Sequence, residues 1–148
     1  MELKNILVGI ENLKVKGSLE LNIENIRNNS KDVKENDLFV AIKGFDFDGH
    51  AHIKEAIEKG ARAVIAEQSE FTKEMLKEVP ENVTLILAEN TRFALAIAAC
   101  NFYDNPSRKF RLIGVTGTKG KTTTTYMIRD ILEKQGIKVG LIGTVASY

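Results

Sequence analysis

Phe110-Arg-Leu-Ile-Gly-Val-Thr116 runs directly into Gly117-Thr-Lys-Gly-Lys-Thr-Thr-Thr-Thr125, and this passage decides how the chain is read. The first seven residues form a short apolar run of strand length. Residues 121–135 follow a helical pattern that stops at Gly136, and Lys138-Val-Gly-Leu-Ile-Gly143 reads as a second strand. A glycine-rich loop between a strand and a helix is the setting of a phosphate-binding loop. Glycines let successive backbone N–H groups turn inward toward phosphate oxygens, and the helix adds its positive N-terminal end. Lys121 is placed to neutralise β- and γ-phosphates, and the Thr122 hydroxyl to complete a Mg²⁺ shell. The general pattern G-x-x-x-x-G-K-[ST] asks for glycine at 115, where this chain has Val115; its glycines fall at 114 and 117, while Gly120-Lys121-Thr122 is intact. A plain glycine turn before a helix is the alternative, and the strand-loop-helix context favours a nucleotide site.

Working back toward the N-terminus, strands and helices alternate. Leu3, Ile6, Leu7 and Ile10 repeat at helical spacing, and residues 14–27 switch to an alternation that reads as short strands with a turn at Gly17-Ser18. Asp37-Leu-Phe-Val-Ala-Ile-Lys43, Ala63-Val-Ile-Ala66 and Val83-Thr-Leu-Ile-Leu-Ala88 are buried-strand runs. Between them lie a loop, Gly44-Phe-Asp-Phe-Asp-Gly49, a helix through Ile53, Ala56 and Ile57 ending at Gly60, and a helix near 70–78. Asn90 or Thr91 can cap a further helix carrying Phe93, Leu95, Ala96, Ala99 and Phe102. The expected fold class is α/β. A small mixed α/β domain, 1–107, precedes the first β-P-loop-α-β unit of a P-loop ATPase domain, 108–148, with Asp104-Asn-Pro-Ser-Arg108 as linker. One such unit cannot cover both faces of its sheet, so the second domain is expected to be truncated.

Composition narrows the function classes. The 148 residues are 43% hydrophobic and 28% charged, enough for a core, and the net charge is +1. That balance argues against a nucleic-acid partner. Residues 1–107 carry a net charge of −5 and residues 108–148 a net charge of +6, which suits an anionic ligand on the second segment. Cys100 is the single cysteine and cannot form an internal disulfide; on an apolar helix it is expected to be a buried small hydrophobe. No apolar run reaches the ~18 residues of a membrane span, and the N-terminus lacks a signal-peptide layout. A cytoplasmic soluble protein with no membrane partner is expected. His50 and His52 beside Asp46 and Asp48 suggest a metal, but surface polar residues at a helix start are the plainer reading.

The departure from the general loop pattern fits a narrower one. Gly114-Val-Thr-Gly-Thr-Lys-Gly-Lys-Thr-Thr-Thr124 resembles the G-x-T-G-T-N-G-K-T-T-T loop of the Mur ligases, with Lys119 in place of asparagine. In the first half Asn29-Ser30-Lys31, Asn36-Asp37-Leu38-Phe39-Val40-Ala41, Gly44 to Asp48-Gly49-His50, and Gly60-Ala-Arg-Ala-Val64 resemble the family forms D-S-R, G-D-L-F-V-A, G-x-x-x-D-G-H and G-A-x-A-V. Asn29, Lys31 and Asn36 depart from them, and Lys31 keeps a charge without the bidentate fork of arginine. Thr118 leans toward the MurE type, which adds the third amino acid to UDP-N-acetylmuramoyl-L-alanyl-D-glutamate. The MurF type, which adds D-alanyl-D-alanine, more often has serine there.

The resemblance implies an ATP-dependent amide ligase of peptidoglycan precursor synthesis, working in cell wall biogenesis through an acyl-phosphate intermediate. ATP would be held by Thr116, Gly117, Thr118, Lys119, Gly120, Lys121 and Thr122, with Lys121 and Thr122 as the catalytic pair and Thr122 at Mg²⁺. Asn28, Ser30, Phe45, Asp46 and Phe47 would hold the uridine diphosphate end of the UDP-N-acetylmuramoyl-dipeptide. Taken without the family, Ser30 reads as a turn hydroxyl bonding its own backbone, and Phe45 and Phe47 as loop packing. Thr123–Thr125 can merely satisfy backbone groups. The family's later Mg²⁺-binding carboxylate, modified lysine and amino-acid-selecting domain would lie beyond Tyr148, so this chain alone is expected to be inactive. A non-catalytic nucleotide-binding module and a purely structural α/β domain are the competing readings.

Overall fold

The computed structural model describes residues 1–45 and 47–143. The chain divides into two units, Met1–Pro106 and Ser107–Tyr148. The first is built on a five-stranded sheet in the order β1-β5-β4-β3-β2. β2 (Ile26–Arg27), β3 (Leu38–Val40), β4 (Ala63–Glu67) and β5 (Thr84–Ala88) are mutually parallel, and β1 (Lys14–Lys16) closes one edge antiparallel to β5.

Alternation along the strands sorts the core into two layers. Leu38, Val40, Ala63, Ile65, Ile86 and Ala88 face α1 (Leu3–Ile6) and α4 (Thr91–Phe102), which contribute Leu3, Ile6, Ala94 and Ala98. Phe39, Ala41, Val64, Ala66 and Leu85 face the opposite way, against Ile53 and Ala56 of α2 (Ile53–Glu58) and the side of α3 (Lys73–Glu78). Both faces are covered, which is why residues 63–66 of β4 and 85–88 of β5 read as unbroken apolar runs. Asn90 caps α4, its Oδ1 accepting from Phe93 N at 2.9 Å. Thr72 caps α3 by accepting from Met75 N at 3.3 Å. Phe93 stands 57% exposed on α4, so the buried stripe runs through Thr91, Ala94 and Ala98. Cys100 is half-buried, which corrects the expectation of a buried residue: it lies off that stripe.

In the second unit α5 (Lys121–Lys134) forms as expected, and Gly136 beyond it takes φ 77°. Among the described residues no strand forms over 110–116 or 138–143, where Ile142 alone makes a β-bridge, which corrects the reading of those runs. Phe110, Leu112 and Ile113 are 58%, 74% and 51% exposed, and Ile142 is 92% exposed. An apolar run becomes a strand only when a neighbour completes its hydrogen-bond ladder. Among the described residues of this unit no element supplies one. No helix of the described chain is long and apolar enough to cross a membrane.

Candidate functional site

The glycine loop shapes the start of α5. Gly120 is the N-cap residue at φ 77°, a left-handed conformation that costs glycine little and other residues more. No side chain caps the helix, and its first turn holds Lys121 and three threonines but no carboxylate. Residues 116–122 are all exposed. The Lys121 ammonium curls back to donate to the Gly117 carbonyl oxygen, so the cation already sits over the loop. The Thr125 hydroxyl donates to Thr122 O at 2.8 Å, a purely local bond of the kind expected for the later threonines. An uncapped, acid-free helix start with a lysine folded onto its loop fits the phosphate groups of a nucleotide.

The second candidate surface lies in the first unit, where the connections after β2 and β3 meet α2. Asn29 Oδ1 accepts from Lys31 N at 3.1 Å and its Nδ2 donates to Asp32 Oδ2 at 2.9 Å, which shapes a 3₁₀ turn over Ser30–Asp32. Ser30 is 6% exposed, and its hydroxyl donates not to its own backbone but to Glu55 Oε2 at 2.8 Å. Asn28 is exposed just past β2. Phe45 extends fully into solvent, and Phe47 is 66% exposed with one ring face stacked on His52, centroids 5.0 Å apart and planes 9° apart. Loop packing therefore describes Phe47 in part and Phe45 not at all. Asp46 lies outside the described residues.

His50 corrects the expectation of a surface histidine: it is 5% exposed. Its Nε2 accepts the Glu67 backbone N–H at 2.9 Å, so the ring proton is on Nδ1, 2.7 Å from Asp48 Oδ1. The neutral imidazole thus ties the loop end to β4. Gly49, between these partners, has no room for a side chain, because a Cβ there would come within 2.7 Å of Ile42 N. The backbone N–H of His50 donates to Asp48 Oδ1 at 2.9 Å and is the main cause of that carboxyl's lowered pKa, helped by the His50 ring.

Around Ser30 the sequence reading missed a network. Glu55 Oε1 accepts from Lys59 Nζ at 2.8 Å, Oε2 faces His52 Nδ1 at 3.1 Å, and Lys59 Nζ also donates to Ser30 O at 3.1 Å. Lys59 first, then Ser30 and His52, hold the Glu55 carboxyl down to about 2. The signal was present as the spacing of His52, Glu55 and Lys59, three and four residues apart and so on one helix face. The structure brings Ser30 and Phe47 to this network; Asn28 and Phe45 take no part in its hydrogen bonds or ring stacking. Buried Asp37 was missed as well: its Oδ2 takes Arg27 Nε at 3.3 Å and Lys34 N at 3.0 Å.

Residues 22–103 match the family model described as Mur ligase family, catalytic domain, and residues 115–148 match that described as Mur ligase middle domain. The chain belongs to the Mur ligase family. All 148 residues align at 47% identity with a UDP-N-acetylmuramoyl-L-alanyl-D-glutamate--2,6-diaminopimelate ligase from Clostridium tetani, covering 30% of that protein. A ligase of the same name from Clostridioides difficile is 45% identical over 148 residues, with 29% of its length covered. The chain thus spans about three-tenths of the length of these curated relatives. Among solved structures, MurF ligase from Thermotoga maritima in complex with ADP is similar over 76% of this chain and 24% of its own, at 36% identity and TM-score 0.54. MurF from Acinetobacter baumannii is similar over 76% of this chain and 22% of its own, at 26% identity and TM-score 0.56.

Within the Mur ligase family the departures acquire physical reasons. Asn36, where the family form has glycine, takes φ 62°, and asparagine is the side chain that best tolerates this region. Asn29 supplies the turn-capping oxygen that aspartate would.

Proposed function

We propose that this chain is the N-terminal part of an ATP-dependent ligase that adds diaminopimelate to UDP-N-acetylmuramoyl-L-alanyl-D-glutamate. The observation that carries this reading is the 47% identity along all 148 residues with a relative named for that reaction. On this reading residues 1–107 hold the uridine diphosphate end of the substrate and 108–148 open the ATP-binding domain. Asn28, Ser30, Phe45, Asp46 and Phe47 contact the nucleotide of the substrate. Residues 116–122 cradle the ATP phosphates, Lys121 moving from the Gly117 carbonyl to the anion it neutralises. Mg²⁺, when bound with ATP, supplies charge stabilisation at the transferred phosphoryl group, and the Thr122 hydroxyl is the residue of this segment suited to its shell. Phosphorylation of the substrate carboxylate gives the acyl phosphate that the incoming amine attacks; amide formation belongs to the ligase as a whole.

Amide NMR titration of the 148-residue chain tests the assignment. UDP-N-acetylmuramoyl-L-alanyl-D-glutamate is expected to shift Ser30 and residues 45–47, and MgATP to shift 116–122. Shifts on 116–122 alone, seen only with ATP, would leave a phosphate-binding module and remove the first unit's assigned ligand. A MurF-type reading is supported by the likeness to the MurF structures, at 26–36% identity. Assaying the complete ligase with the dipeptide and tripeptide nucleotides separates the two, with turnover of the dipeptide form expected.

A further inference from the structure

We propose that Glu55 is a positioning residue for the nucleotide-substrate surface, coupling the Ser30 turn to the Phe47 ring through a single carboxylate. The inference rests on the proposed assignment of Ser30 and residues 45–47 to the uridine diphosphate end.

Ser30 and Phe47 arrive from different connections, one after β2 and the other after β3, while Glu55 lies on α2. Glu55 Oε2 accepts the Ser30 hydroxyl proton at 2.8 Å and faces His52 Nδ1 at 3.1 Å. An ionised carboxylate only accepts, so His52 carries its proton on Nδ1 and its ring plane is set by that bond. Phe47 lies nearly parallel to this plane, 5.0 Å away, so the carboxylate fixes the Phe47 ring through the imidazole. Lys59 closes the arrangement from the other side, donating to Glu55 Oε1 at 2.8 Å and to Ser30 O at 3.1 Å. The carboxylate is therefore held in one rotamer by three partners, two of which lead to the surface. Phe47 remains 66% exposed, free to cover an arriving ring. Glu55 does not itself need to touch the ligand.

Calorimetric titration of the 148-residue chain with UDP tests this, using Ser30→Ala, Phe47→Ala, Glu55→Ala, Glu55→Gln and the pair Glu55→Ala with Phe47→Ala. Glu55→Ala is expected to weaken UDP about tenfold, the size of losing a charge-assisted hydrogen bond. Glu55→Gln, which keeps one accepting oxygen, is expected to recover part of that loss. The double variant is expected to lose less than the two single losses combined, because both changes remove the same oriented ring while only Glu55→Ala also frees the Ser30 turn. The His52 Nδ1–H signal in ¹⁵N NMR is expected to be lost in Glu55→Ala, a change that mere loosening of α2 would not single out. If Ser30→Ala and Phe47→Ala weaken UDP while Glu55→Ala binds as the parent does, the positioning role is wrong and the ligand assignment stands. Fully additive losses would also overturn it. If the parent chain does not bind UDP, or the Ser30 and Phe47 variants match it, the assignment itself fails and the proposal with it. Should Glu55→Ala not fold, Glu55→Gln, alone and paired with Phe47→Ala, carries the same comparison.

Discussion

Glu55 keeps its charge to low pH because Lys59, Ser30 and His52 all favour the ionised form. Its pKa falls from 4.5 to about 2 on folding, so between those values the unfolded chain binds more protons than the folded one. Its contribution to stability is therefore complete above about pH 5 and is lost as pH falls toward 2. Thermal melts should show Glu55→Gln below the parent chain at pH 6, with the gap closing by pH 2.5; a gap that stays constant would refute the linkage. His50 is the other informative residue. Replacing it with alanine removes a buried ring and strands the Glu67 N–H, so urea unfolding should show a loss of about 2–4 kcal/mol with little change in the m-value. At the glycine loop, Lys121→Ala removes an exposed side chain whose bond is to a loop carbonyl. It is expected to leave the melting temperature nearly unchanged and to weaken MgATP at least about tenfold, read by calorimetry.

At the scale of elements, the first unit was legible wherever a segment carries its own signal. Residues 63–66 of β4 and 85–88 of β5 are apolar because helices cover both faces, and α4 begins at a true capping residue, Asn90. Asn90→Ala should cost about 1 kcal/mol in chemical denaturation, the usual price of a lost N-cap. The runs 110–116 and 138–143 carry an equally good apolar signal, yet they are not strands among the described residues. Hydrophobicity states that a segment seeks burial; pairing requires a second backbone in register. The networks were harder to read for the same reason. Glu55 meets Ser30 across 25 residues, and His50 meets Glu67 across 17, distances over which side-chain spacing carries no information.

For the whole molecule, the division after Pro106 separates a unit that owns both of its core layers from one whose helix α5 buries no residue. The first unit should therefore be the stable one. Limited proteolysis is expected to cut first within 107–120 and to leave a fragment near Met1–Pro106 that melts in a single cooperative transition. Persistence of the intact chain under conditions that digest exposed loops would contradict this. The opposite charges of the two segments, −5 over residues 1–107 and +6 over 108–148, put the basic balance on the segment with the glycine loop.

The sequence by itself determined the α/β class, the order of elements in the first unit and the glycine loop ahead of α5, because each is written in local periodicity, capping residues or a contiguous motif. It also carried the family resemblance, through two motifs in the right order. Only the tertiary structure decided that Ser30 serves Glu55 rather than its own turn, that His50 is a buried neutral tie, and that Phe47 leans on His52 while Phe45 stands free. Those outcomes depend on which backbones the sheet brings side by side, and a hydrogen bond formed across such a contact leaves no periodic trace in the chain that makes it.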